Sequence, residues 1–214
     1  MIPLSDDNST RKTTPIVTYI LIALNVLFFF FELSGGEDFI VKWAFVPSRF
    51  LANPIENIPN LFTAMFMHSG WAHLLGNMLY LWIFGDNVED RFGKFMFLIF
   101  YLFCGLAATF AQLWFSPVSN IPNLGASGAI AGVLGAYLAL IPQGKINVML
   151  GRSITQMSAI IVIGFWFVLQ FLSSFTSSAT DADVGGVAYM AHIGGFIAGI
   201  CIALTYKAVA SSKN

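Results

Sequence analysis

Six apolar runs, at about 16–33, 71–85, 94–115, 126–141, 156–175 and 188–206, occupy most of this 214-residue chain. A hydrocarbon core of roughly 30 Å takes about 20 apolar residues to cross as a helix, and each of those helices satisfies its own backbone hydrogen bonds in lipid. The pattern therefore predicts an all-α membrane protein, a bundle of six transmembrane helices. Composition agrees: 57% of residues are hydrophobic and 10% charged, against about 45–50% apolar and about 25% charged in an average soluble domain. The runs are separated by polar and helix-ending stretches, namely Gly35-Gly36-Glu37-Asp38, Gly85 to Gly93, Ser116-Pro117, Pro142-Gln143-Gly144 and the Ser/Thr/Asp/Gly segment 173–186.

The expected organisation is an N-terminal tail over 1–15, one helical domain over 16–207 and a C-terminal tail over 208–214. Residues 1–14 are polar and the first apolar run is of spanning length without a small-residue cleavage pattern, so no removable leader is expected. Basic residues favour the cytoplasmic side. With the N-terminus inside, Arg11, Lys12, Arg91, Lys94, Lys145, Arg152, Lys207 and Lys213 are all cytoplasmic, and only Lys42 and Arg49 lie outside. Both tails are thus expected in the cytoplasm. Cys104 and Cys201 fall within different spans and read as packing residues. A net charge of −1 gives no sign of a nucleic-acid partner.

Topology then sorts side chains by depth. Spans two, four and six all run from outside to inside, so residues early in each share one layer near the outer face. Ser127 opens span four, His192 lies about a turn into span six, and His73 and Asn77 occupy the first two turns of span two. Ionisable residues within membrane spans are rare and face the bundle interior or a wet cavity. Span four is also short: from Ser127 to Ile141 a helix rises only about 21 Å. Its start therefore lies below the surface, and segment 116–126 predicts a water-containing pocket open to the outside.

Each element has a plainer reading when taken alone. Gly128-x-x-x-Gly132 and Gly195-x-x-x-Gly199 are also what close helix packing in lipid looks like. A single intramembrane histidine could be a hydrogen-bonded structural group or a metal ligand. His73-x-x-x-Asn77 lies on one helical face and could be an interhelical hydrogen-bonded pair. His68, in the loop before span two, is expected to hold that loop by hydrogen bonding. Asn25, Gln112 and Gln170 read as polar helix contacts.

Together the residue types make a coherent chemistry. A serine hydroxyl becomes a nucleophile when a positioned base takes its proton, which neutral imidazole does near neutral pH. The carbonyl it attacks becomes an oxyanion, which needs donors aimed at it in a low-dielectric site. A serine at a helix N-terminus brings free backbone N–H groups, and His73 and Asn77 can supply side-chain donors. No carboxylate is expected at this depth, because Asp181 and Asp183 lie in an outer loop and Glu89 and Asp90 in a cytoplasmic one. A Ser–His dyad without an Asp follows.

From about residue 60 to 203 the chain resembles the rhomboid intramembrane serine proteases in their minimal six-helix bacterial form. The resemblance rests on His68-x4-His73-x3-Asn77, Gly85-x3-Glu89-x3-Gly93, Gly125-x-Ser127-Gly128 and Ala191-His192-x-Gly194-Gly195-Phe196-x2-Gly199. It implies that Ser127 is the nucleophile and His192 the base, with His73, Asn77 and the Ser127 N–H forming the oxyanion hole. His68, Glu89, Gly125, Gly128, Gly195 and Gly199 would be structural positions of the motifs. It also implies substrates that are single-pass transmembrane proteins cut in or near their spans within the lipid bilayer, with no cofactor and no metal. Two departures stand out. Some relatives have a tyrosine one turn after the nucleophile, packed on the catalytic histidine, whereas this chain has Ala131, so another residue must orient His192. The first outer loop, about 35–67, has Trp43, Lys42 and Arg49 apart instead of an adjacent Trp-Arg pair.

Two rival readings are an inactive rhomboid-like protein that binds or sorts membrane proteins, and a metal, haem or transport site built on His73 and His192. The first loses force because both Ser127 and His192 are present, the second because metal sites want a fuller ligand set. A substrate gate is expected where Phe171 and Phe175, in a stripe begun by Phe167, face span two near Trp71, Leu75 and Met78; the stripe could equally face lipid or pack against a neighbour. Segment 173–186 reads as a mobile lid over that opening.

Overall fold

The computed structural model describes residues 1–9, 11–180 and 188–212, with the backbone alone over 173–180. Its long helices are α1 (Ile16–Trp43), α4 (Trp71–Phe92), α5 (Lys94–Phe115), α6 (Ser127–Leu140), α7 (Ala159–Thr180) and α8 (Tyr189–Ser211), with short helices α2 (Pro47–Ala52) and α3 (Asn60–Thr63) between α1 and α4. Three of them, α1, α5 and α8, are long and apolar enough to cross a membrane. The apolar parts of α6 and α7 are shorter, and α4 carries Asp86, Glu89, Asp90 and Arg91 in its last two turns.

The sequence break at Gly35-Gly36 is a kink and not an end. Gly36 adopts φ +58, ψ −148 inside α1, a conformation that glycine tolerates and other residues resist, and the helix then resumes to Trp43. Gly93, at φ +78, ends α4 and starts α5 in a single residue.

To the expected helical membrane architecture the fold adds a small sheet. β1 (Ile2–Asp6), β2 (Lys145–Leu150) and β3 (Ser153–Ser158) form an antiparallel sheet in the order β1-β2-β3. Ile146 and Val148 are buried while their neighbours point outward, the period-two alternation of a half-buried strand. The stretch is too short and too polar to register beside the long apolar runs; helix α7 starts after it at Ala159, and Ile2–Asp6 docks on it as a strand.

That docking is specific. The Tyr137 hydroxyl at the end of α6 and the Asn87 amide on α4 both donate to the Asp6 carboxylate, and Arg11 pairs with Asp86. Glu89, fully buried, accepts the Val17 and Thr18 N–H groups at 3.0 and 2.7 Å and the Thr18 hydroxyl at 2.8 Å. It thereby satisfies first-turn donors of α1 that have no partner within the helix.

Helix α6 is the axis of the molecule, buried continuously from Gly128 to Tyr137 and flanked by α8, α5, α4 and α7. Backbone meets backbone along the α6–α8 seam. A Cβ added at Gly195 would fall on the Gly128 carbonyl oxygen, and one added at Gly199 on that of Gly132. These small residues let the helices approach as closely as they do. Cys104 packs beneath Gly132, whereas Cys201 is exposed on the outside of α8.

Candidate active site

Ser127 is the first residue of α6. The chain enters it through Gly125, whose φ of +133 needs a glycine and whose N–H is anchored on the Ala64 carbonyl at 2.8 Å. A Cβ at Gly125 would also come within 2.9 Å of Cε1 and Nε2 of His73, so glycine here serves both the turn and the approach of that ring. Ser127 is left over the N-terminal end of a helix, where unpaired N–H groups and the helix dipole favour negative charge.

His192 lies in the first turn of α8 and is 8% exposed. Its Nε2 is 2.7 Å from Ser127 Oγ, and its Nδ1 is 2.7 Å from Oε1 of Gln170 on α7. Three helices thus contribute one chain of hydrogen bonds. The spacing of α6 and α8 sets the first link. Gly128 and Gly195, expected as motif glycines, lie at that closest approach within about one turn of Ser127 and His192.

His73 lies in the first turn of α4, with the Ser69 N–H and hydroxyl beside its Nδ1 at 3.4 and 3.1 Å. A backbone N–H can only donate, so Nδ1 is the acceptor and Nε2 carries the hydrogen. That Nε2–H lies next to Gly125. Asn77, one turn further along, is 8% exposed, and its Nδ2 has no hydrogen-bond partner among the described residues. Ser127, His192, His73 and Asn77 all line one cavity of about 540 Å³, completed by Tyr80, Trp166 and the segment from Ile121 to Leu124. The early residues of α4, α6 and α8 therefore do meet in one place.

Other expectations fared differently. The His68 ring is buried against His73 at 5.1 Å between centroids, and its nitrogens have no partner among the described residues. Its loop is held instead by its backbone N–H, which donates to Glu32 at 2.9 Å. Glu32, 4% exposed on α1, corrects the expectation that this layer has no carboxylate. It lies beside His68, however, and no carboxylate lines the cavity among the described residues. Gln170, read as a polar helix contact, makes that contact with His192 Nδ1. It shares an i, i+4 face with Trp166, whose ring is 5.9 Å from that of His192, and burying an amide without a partner is costly. The need for a partner was readable; its identity required the fold.

Part of the aromatic stripe packs against a neighbouring helix. Phe167 stacks on Phe196 of α8 at 4.4 Å, and Trp71 packs edge-on against Phe29 and Phe30 of α1 at 4.9 and 6.1 Å. Phe171 and Leu75 are 45% and 62% exposed. The side chain of Phe175 and segment 181–186 of the expected lid lie outside the described residues. The connection from α1 to α4 is pinned at several points: Phe45 bridges to Asn123, Arg49 donates to the Val41 and Ala44 carbonyls, and Asn60 donates to those of Lys42 and Ala44. Among the described residues no three His, Cys, Asp or Glu side chains gather as a metal site.

Residues 56–208 match the family model for the rhomboid domain. The chain is 34% identical to the rhomboid protease GluP of Bacillus subtilis over 94% of its own length and 37% of that protein. It is 29% identical to the mitochondrial rhomboid protein 1 of Saccharomyces cerevisiae over 88% of this chain and 53% of that one. It is 28% identical to the rhomboid protease AarA of Providencia stuartii, over 89% and 72%. The chain thus spans between a third and a little over half of the first two relatives. With its matching domain, its apolar helices and its assembled serine–histidine cavity, this chain belongs to the rhomboid family of integral membrane proteins.

Proposed function

We propose that this protein is an intramembrane serine endopeptidase of six membrane-crossing helices, and that it hydrolyses peptide bonds in or near the transmembrane segments of single-pass membrane proteins. The observation that carries the reading is the 2.7 Å contact between Ser127 Oγ and His192 Nε2 in a largely apolar cavity that His73 and Asn77 also line. In the reaction, Nε2 takes the hydroxyl proton as Oγ attacks the scissile carbonyl. The oxyanion is met by the Ser127 N–H, His73 Nε2–H and Asn77 Nδ2–H. Collapse expels the amine, to which His192 returns the proton, and water then hydrolyses the acyl-enzyme with His192 again as base.

Distribution of basic residues favours cytoplasmic termini with the cavity opening to the outer side. The cavity lies between α4, which supplies Ala72, His73, Gly76, Asn77 and Tyr80, and α7, which supplies Trp166. A substrate helix would reach it sideways from lipid between those two helices, past Leu75 and Phe171. The runner-up, a binding protein without activity, gains nothing from a serine and a histidine held at hydrogen-bond distance. Labelling by a fluorophosphonate and cleavage of a model transmembrane substrate test the assignment. Both should vanish in Ser127→Ala, and cleavage in His192→Ala, with folding intact. Robust cleavage by purified Ser127→Ala protein would sink it.

A further inference from the structure

Neutral imidazole carries one N–H and one lone pair, and which nitrogen has which is set by the partner of the other. If His192 is to take a proton from Ser127, its lone pair must be on Nε2 and its hydrogen on Nδ1. Trp166 and Tyr189 flank the ring at 5.9 and 6.5 Å between centroids, and the ring nitrogens bond instead to Gln170 and Ser127 among the described residues. Gln170 Oε1, at 2.7 Å, is the hydrogen-bond partner of Nδ1 among the described residues.

We propose that Gln170 is the positioning residue of the dyad: its amide oxygen accepts the Nδ1–H of His192, fixes the tautomer, and aims the Nε2 lone pair at the Ser127 hydroxyl. The inference rests on the serine-protease reading and deepens it, by naming what replaces an aromatic ring at Ala131. A neutral amide selects the tautomer but adds no counter-charge for the imidazolium formed in the reaction. The other groups facing the ring are Ser127 on α6, His73 across the cavity on α4 and Tyr189 on the same helix. Helix α5, which lies along α8 with Ala107, Ala108 and Ala111 against Gly194 and Gly195, brings no titratable group there.

Gln170→Met, similar in size but without a comparable acceptor, and Gln170→Glu, which adds a negative charge at the same place, separate positioning from packing. In a soluble triad, replacing the acceptor so that the wrong tautomer is held costs about 10⁴ in kcat. Loss of a neutral acceptor leaves a mixture of tautomers, and Gln170→Met should lose about 10- to 100-fold in kcat with KM within about twofold. Gln170→Glu should move the acid limb of the kcat/KM profile upward by about one pH unit, because a carboxylate beside the ring favours its charged form. Histidine ¹⁵N spectra of the full-length protein read the tautomer without any turnover: His192 should be Nδ1–H in the wild type and mixed in Gln170→Met. An Nε2–H tautomer in the wild type overturns the proposal, as does an unchanged kcat in Gln170→Met together with an unmoved acid limb in Gln170→Glu. If the wild type neither cleaves nor labels at Ser127, yet shows an Nδ1–H His192 that Gln170→Met randomises, the protease reading fails and the positioning role of Gln170 stands. Should Gln170→Met not fold, the wild-type tautomer and the Gln170→Glu profile decide the matter.

Discussion

Gly195→Ala tests whether the close approach of two backbones sets the catalytic distance. The added methyl would fall on the Gly128 carbonyl oxygen, with the carbonyl carbon 3.0 Å away. Carbon–carbon and carbon–oxygen contacts relax only near 3.5 Å, so α8 must withdraw from α6 by roughly 1 Å. His192 lies three residues before Gly195 on the same helix and moves with it. The Oγ···Nε2 distance, now 2.7 Å, would grow to about 3.5 Å or more, beyond a useful hydrogen bond. A misplacement of about 1 Å costs on the order of 10² in rate, and overpacking of this kind costs roughly 1–3 kcal/mol of stability. The assay is kcat for a transmembrane substrate in liposomes, with the rate of fluorophosphonate labelling, both well below the unfolding temperature. Gly164→Ala on α7, where a Cβ meets nothing within 4 Å, is the control and should keep its rate. If folded Gly195→Ala protein cleaves and labels at the wild-type rate, the α6–α8 seam does not set the dyad.

Asn77→Ala should be slow but measurable: one oxyanion donor is worth up to about 10²–10³, and here His73 and backbone N–H groups share the role. An unchanged kcat at saturating substrate would make Asn77 structural. Burial, and then the Asp86 carboxylate, push Asp6 from 3.8 up to about 6. The folded state therefore holds this proton more tightly than the unfolded one, and stability should rise as pH falls from 7.5 through 6 toward 4, by up to about 3 kcal/mol. Asp6→Asn, which can still accept from Tyr137 and Asn87, should flatten that dependence and protect β1 amides from hydrogen exchange at pH 7.5; an unaltered profile would show that Asp6 is not its source. In a Cys201→Ala background, bridging cysteines placed at Leu75 and Phe171 should block cleavage of transmembrane substrates and reducing the bridge should restore it. Full bridging with undiminished cleavage would place substrate access elsewhere.

Composition and run length alone determine that this chain is a helical membrane protein, because a backbone in lipid has few ways to satisfy its hydrogen bonds. The convergence of Ser127, His192, His73 and Asn77 was legible too, since alternating helix direction places the early residues of α4, α6 and α8 at one depth. Depth is a one-dimensional property, and it says nothing of which faces meet. Only the tertiary structure decided that Gln170 turns toward His192, that Glu32 ties down the His68 loop, and that Phe167 stacks on Phe196 while Trp71 leans on α1. An apolar helix in lipid can present any side outward at similar cost, so rotation about its axis is set by packing between neighbours. The small sheet has the same origin: Ile146 and Val148 alternate as a strand should, but their partner β1 lies more than a hundred residues away, and only the folded chain brings the two edges together.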